Sequence, residues 1–236
     1  MHEGGLTTWS LLTECCRSTE CYARGRIDKE VGVIHHIPYS PIHPSIHQST
    51  PQGLHYLQSK GICHRDLSLE NILVDEDNCV VIDFGMCLRV PYSDRRDASN
   101  VTDVKHGGTR RLMKPMGTCG KHNYMSPEIY QNKENFDGFA VDLWSAGVIL
   151  YIMLTGFPPY DHANRADQRF EIIVEGLLVN QLQEWDINLS KDAGALLQNM
   201  LREKPGDRLT LGQVMNHPWV TNPDVTSPPP QDTFYS

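Results

Sequence analysis

An apolar run from Leu143 to Phe157 constrains this chain more than any other feature. Only Ser145, Gly147, Thr155 and Gly156 interrupt it, and Asp142 stands directly before it. A membrane span needs about 20 apolar residues in a row. The run is shorter and broken, so it predicts a helix, over Ala140–Leu154, that is apolar on every side and buried in a core. Such a helix needs further layers of structure around it. The chain has 236 residues, which at roughly 100–200 residues per domain makes one domain with appendages.

The elements around that helix can be read from local signals. Leu54, Tyr56, Leu57 and Gln58 predict a short helix closed by Gly61. Ile72–Val74 and Cys79–Ile82 are β-branched, apolar runs separated by four polar residues, which predicts a hairpin. A helix begins at Ser190, with Ala193, Leu196, Leu197, Met200 and Leu201 at helical spacing. Thr210 and Gln213 form a capping box for a last helix that ends before Pro218. Residues 90–116 are polar and long for a connection. Four prolines within residues 35–51 exclude a helix there. Residues 1–50 are unassigned, and residues 221–236, with Pro228-Pro229-Pro230, read as a Pro-rich disordered tail.

Charge and cysteine usage narrow the function classes. Lys plus Arg is 21 against 29 Asp plus Glu, a formal net charge of −8. That argues against nucleic acid as a partner, because phosphate backbones select basic surfaces. Seven cysteines at irregular spacing fit a reducing compartment. No basic start followed by an apolar stretch marks a signal peptide. The expected location is intracellular and cytoplasmic, without a membrane partner. Cys16, Cys21, His43 and His47 do not read as a zinc finger, because 21 residues separate Cys21 from His43, where fingers use about 12. Gly120-Lys121 does not complete a phosphate-binding loop, because Pro115 stands where glycine is required.

The chemistry lies in residues 64–85. His64-Arg65-Asp66 is followed by Asn71 five residues after the aspartate, and twelve residues later by Asp83-Phe84-Gly85. Ser126-Pro127-Glu128, the run Asp142 to Gly147, Arg208 and His217-Pro218-Trp219 follow in order. Together these motifs resemble the eukaryotic protein kinases of the Ser/Thr type over residues 53–220. The resemblance implies a mainly α fold derived from an α+β parent, a kinase-like C-terminal lobe whose small β hairpin carries the catalytic and metal loops, over 51–220. It implies ATP and Mg²⁺ as cofactors, protein substrates with Ser or Thr acceptors, and an upstream kinase as a partner. By the same resemblance Asp66 accepts the acceptor's proton, with His64 and Arg65 beside it in the catalytic loop. Asn71 and Asp83 hold Mg²⁺, and Leu73 floors the adenine pocket. Phe84 and Gly85 complete the metal loop, Asp142 anchors the catalytic loop through backbone hydrogen bonds, and Glu128 pairs with Arg208. Thr118 and Thr109 are candidate phosphosites, whose phosphate would dock on Arg65, and Glu70 is placed to read a basic residue before the target.

The sequence departs from the family in two places. No Gly-rich loop and no strand lysine precede residue 53, so the expectation is a chain whose N-terminal lobe is missing or truncated. The family lysine two residues after the catalytic aspartate is Ser68, and the family threonine five residues before the Ala-Pro-Glu position is Lys121. An exchange accounts for both changes, with Lys121 supplying the ammonium near Asp66. The rival reading is a pseudokinase or scaffold without catalytic activity.

Overall fold

The computed structural model describes residues 46–221 apart from 76–77, 91, 94–99 and 103–108. Cys16, Cys21 and His43, nearly all of the unassigned 1–50 region and the tail beyond Thr221 lie outside the described residues.

The elements run α1 (Ile46–Ser59), β1 (Ile62–Cys63), β2 (Ile72–Asp75), β3 (Asn78–Val81), β4 (Leu88–Arg89), β5 (Tyr92–Ser93), β6 (Asn100–Thr102), β7 (Thr109–Arg111) and α2 (Pro127–Gln131). There follow α3 (Gly138–Thr155), α4 (Gln168–Val174), α5 (Leu178–Glu184), α6 (Lys191–Met200), α7 (Leu211–Met215) and α8 (Pro218–Thr221). Short antiparallel pieces of sheet accompany the helices: β1 with β4, β2 with β3, and β7 between β5 and β6.

The central element is α3. Its side chains are buried around the full circumference, as the unbroken apolar run requires. By length and composition α3 is apolar enough to cross a membrane, and 78% of it is buried inside the protein. Asp137 caps its N-terminus by accepting from Phe139 N–H, and Gly156, at φ 84°, ends it in the left-handed conformation. The two buried polar side chains of α3, Asp142 and Ser145, both have hydrogen-bond partners. Asp142 is discussed below, and Ser145 Oγ donates to the carbonyl of Tyr124 at 2.9 Å. Trp144 Nε1 donates to Tyr160 Oη at 2.6 Å, and Tyr160 Oη donates to the Met125 carbonyl at 3.1 Å. Phe170 packs against both rings. Gly147 lets α6 approach: a Cβ there would lie 3.0 Å from Leu201 Cδ2.

The expected helix starts at Ser190 and Thr210 are present. Ser190 Oγ accepts from Ala193 N–H, and Thr210 with Gln213 closes a reciprocal box. Two expectations are corrected. Helix α1 starts at Ile46 and includes Pro51, inside the stretch from which prolines were expected to exclude helix. The first four N–H groups of a helix need no internal acceptor. Pro51, the sixth residue of α1, lies just past those four and removes one internal bond in the second turn. The polar stretch 90–116 is also not a plain loop, because β5, β6 and β7 form a small antiparallel sheet within it.

Candidate active site

Antiparallel pairing of Ile72 with Val81 and of Leu73 with Val80 builds the hairpin that carries the site. The Ile82 N–H donates to the Asn71 carbonyl at 2.9 Å. Asn71 is thereby held opposite Ile82, the residue before Asp83, at the open end of the two strands.

The loop before the hairpin is fixed from below by Asp142. Its Oδ2 accepts from the His64 N–H at 2.7 Å and its Oδ1 from the Arg65 N–H at 2.8 Å. Asp142 is completely buried. Burial pushes its carboxyl up to about 7, against the pull of the two N–H donors and the Arg65 charge. His64 ties the same loop sideways. Its Nε2 donates to the Ile82 carbonyl at 3.1 Å, and its Nδ1 accepts from the Asp66 N–H at 3.3 Å. One nitrogen donates and the other accepts, which is the neutral imidazole. Burial lowers its affinity for a second proton. His64 thus frames the loop, with its ring edge-on to Phe84 at 5.3 Å. Arg65 takes φ 68°, a strained value for a non-glycine residue, and lays its guanidinium over Phe136 at 5.7 Å.

These constraints present Asp66. Asn71 Nδ2 donates to the Asp66 carbonyl at 2.7 Å and to Asp66 Oδ2 at 3.1 Å. Asp66 Oδ1 is buried without a hydrogen-bond partner, as are Arg65 Nε and Ser126 Oγ. All three residues line one small cavity of about 10 Å³ together with Gly120 and Lys121. Gly120 was missed as a site residue by sequence reasoning. At φ 84°, a Cβ on it would lie 2.9 Å from the Arg65 carbonyl oxygen and 3.2 Å from Asp66 Oδ1. Only glycine permits that approach.

Asp83 is exposed and takes the left-handed conformation, with Oδ1 accepting from the Gly85 N–H at 3.2 Å. The donor set fits a magnesium ion: the Asp83 carboxylate and the Asn71 amide oxygen are hard ligands, and the Asn71 nitrogen is already committed to Asp66. Leu73 and its cross-strand neighbour Val80 are exposed at 55% and 53%, an apolar pair beside that donor set. Thr118 is exposed on the segment leading to Gly120, and Thr109 opens β7.

Lys121 contacts Ser68. Its Nζ donates to the buried Ser68 Oγ at 2.7 Å and lies 3.3 Å from Glu70 Oε2, whereas Asp66 keeps its free oxygen. Burial raises the Glu70 carboxyl, but backbone N–H, Lys121 and Ser68 contacts outweigh it, so the net direction is down. Farther below, Glu128 and Arg208 form a bidentate pair, with both N–O distances 2.6 Å. The other guanidinium hydrogens go to the carbonyls of Ala140, Arg202 and Glu203, so all five donors are used.

The protein kinase domain model matches residues 8–220. The chain belongs to the protein kinase family. Among relatives of this kinase chain are a probable serine/threonine-protein kinase, fhkC, of Dictyostelium discoideum, 39% identical over 174 residues, and an Aurora kinase of Debaryomyces hansenii, 33% identical over 171 residues. Each alignment covers 72% of this chain, but 26% and 35% of the respective relative. Serine/threonine-protein kinase PLK4 of Nematostella vectensis is 36% identical over 174 residues, 72% of this chain and 15% of the relative. The kinase chain therefore spans about a third or less of the length of these curated relatives. The family match also begins well before Gly53, where the first motif-based resemblance starts.

Proposed function

We propose that residues 51–220 form the C-terminal lobe of a Ser/Thr protein kinase, and that this lobe positions Mg·ATP and a protein hydroxyl for phosphoryl transfer. The observation that carries the reading is the loop from His64 to Asn71. Two backbone N–H groups on one buried carboxylate, a histidine locked by both nitrogens and an asparagine bonded twice to Asp66 all hold a single carboxylate in place. Phosphoryl transfer asks the protein mainly for positioning and charge.

In this reading Asp66 orients the acceptor hydroxyl and takes its proton. Asn71 and Asp83 would hold Mg²⁺ through oxygen, and the exposed Leu73 would lie under the adenine ring. Bound Mg²⁺ and ATP supply the transferable group and neutralise its developing charge. Lys121, standing on Ser68, supplies a cation next to the loop, and Gly85 lets the Asp83 turn close. Asp142, Glu128 and Arg208 hold the frame rather than touch substrate. A phosphate on Thr118 or Thr109, added by an upstream kinase, would find the unpartnered Nε of Arg65.

A second reading, an interaction module without catalysis, is favoured by the placement of Lys121 Nζ on Ser68 and Glu70 rather than on Asp66. Titration of the purified chain with Mg·ATP, followed by thermal unfolding, separates the two. The kinase reading expects a saturable stabilisation that disappears in Asp83→Asn. Absence of stabilisation at millimolar Mg·ATP sinks it in favour of the interaction module.

A further inference from the structure

We propose that Glu70 is a positioning residue that holds the Lys121 ammonium at the catalytic loop, and that its carboxylate is thereby spent and does not read a charged residue of the substrate. This rests on the phosphoryl-transfer reading above.

The argument starts with the freedom of Lys121. A lysine is a point charge on a flexible four-carbon stem. The Lys121 side chain is 40% exposed, so packing alone does not choose its rotamer. Its backbone, in contrast, has little freedom. Gly120 immediately before it is pressed against the Arg65 carbonyl and the Asp66 carboxylate, so this part of the segment cannot shift toward the loop. Only the lysine torsions decide where the charge sits.

Two oxygens make that choice. Ser68 Oγ is buried and accepts from Nζ at 2.7 Å, and Glu70 Oε2 stands 3.3 Å away. Both belong to the turn that directly follows Asp66, so the ammonium is fixed to the same rigid piece as the carboxylate it serves. Lys121 and Asp66 also line the same cavity, and Asp66 Oδ1 is buried without a hydrogen-bond partner. At about 10 Å³ that space is near the size needed for one water. A neutral hydroxyl alone would leave the ammonium free to swing into solvent, and the Glu70 charge prevents this.

The two roles for Glu70 predict different kinetics. A carboxylate that reads substrate acts on the KM of basic peptides. A carboxylate that positions Lys121 acts on kcat for every peptide. The experiment compares the full chain with Glu70→Gln and Glu70→Asp, using two serine peptides that differ only in Arg or Ala before the acceptor. Expected is a fall in kcat of about tenfold in Glu70→Gln, equal on both peptides, with KM unmoved and most of the rate restored in Glu70→Asp. A KM increase confined to the Arg peptide, or no change on either, overturns the inference while leaving the kinase reading intact. Absence of turnover by the unmodified chain on both peptides overturns the kinase reading and the inference with it. A crystal structure of Glu70→Gln adds a readout without turnover: the Lys121 ammonium leaves Ser68 Oγ if the carboxylate holds it there, and an unmoved ammonium overturns the inference.

Discussion

Arg208 and Lys121 are both cations held by a glutamate, yet they lie at opposite extremes of exposure. The Arg208 and Glu128 side chains are 1% and 10% exposed, and the Lys121 and Glu70 side chains are 40% and 60% exposed. The buried pair is bidentate, and its remaining donors are used on three backbone carbonyls. Its guanidinium also lies 4.9 Å over the Trp144 ring. The open pair is a single contact supported by one hydroxyl. Depth explains the choice of residue. A planar fork with five fixed donors can satisfy a site from which water is excluded, whereas a flexible ammonium suits a place where the charge must find a visitor. The frame of the site is thus held by many buried contacts, and its face by two exposed ones.

The sharpest way to break that contrast is to truncate each cation in turn. Arg208→Met leaves the Glu128 carboxylate and three carbonyls without their donor. The expected loss is about 3–5 kcal/mol of unfolding free energy, measured by urea denaturation. Lys121→Met removes an exposed pair, for which the loss stays within about 1 kcal/mol. Comparable losses in the two variants would show that the frame and the face are not energetically distinct.

The same division explains what could be read before the structure. The hairpin, the central helix, the helix start at Ser190 and the Thr210 box were legible as local patterns, and the bonds of Asp142 only as what the family resemblance implies. The partners of Lys121 were only half legible. Its pairing with the loop followed from two departures at one contact, but nothing in the spacing of Glu70 said that it would take the ammonium. Gly120 was missed because its reason is a contact across 54 residues with Asp66, and such a contact leaves no local signal. Helix α1 was drawn too short for the opposite reason: a local signal, Pro51, was given more weight than a helix end demands.

A second, somewhat smaller effect tests whether the frame is as dry as its geometry implies. The Asp142 carboxyl holds its proton up to about 7 in the folded chain, against 3.8 ordinarily. Between those values the folded state binds a proton that the unfolded chain has released, so stability falls as pH rises from about 4 to about 7 and levels off above that. The total contribution of this one group is on the order of a few kcal/mol. Unfolding free energies measured at steps across that range should slope downward in the unmodified chain, and the slope should flatten in Asp142→Asn. An unchanged slope in the variant would assign the pH dependence to other groups and show that Asp142 is ionised throughout.

The smallest effect on stability belongs to the face. Leu73 is 55% exposed beside an equally exposed Val80, so neither the hairpin nor the core gains much from its side chain. Leu73→Ala is expected to change unfolding free energy by no more than about 0.5 kcal/mol. Burial under a ligand is another matter, since each buried methylene contributes about 0.8 kcal/mol. If Leu73 lies under an adenine ring, the alanine variant should need a higher concentration of Mg·ATP for the same thermal stabilisation, while Mg²⁺ alone acts on both chains alike. A variant that keeps its stability and weakens only for the nucleotide places the apolar pair in the ligand site. If the titration curves of the two chains coincide, the hairpin's apolar face serves something other than a base, and the contrast between a fixed frame and an open, ligand-ready face loses its chemical meaning on that side of the molecule.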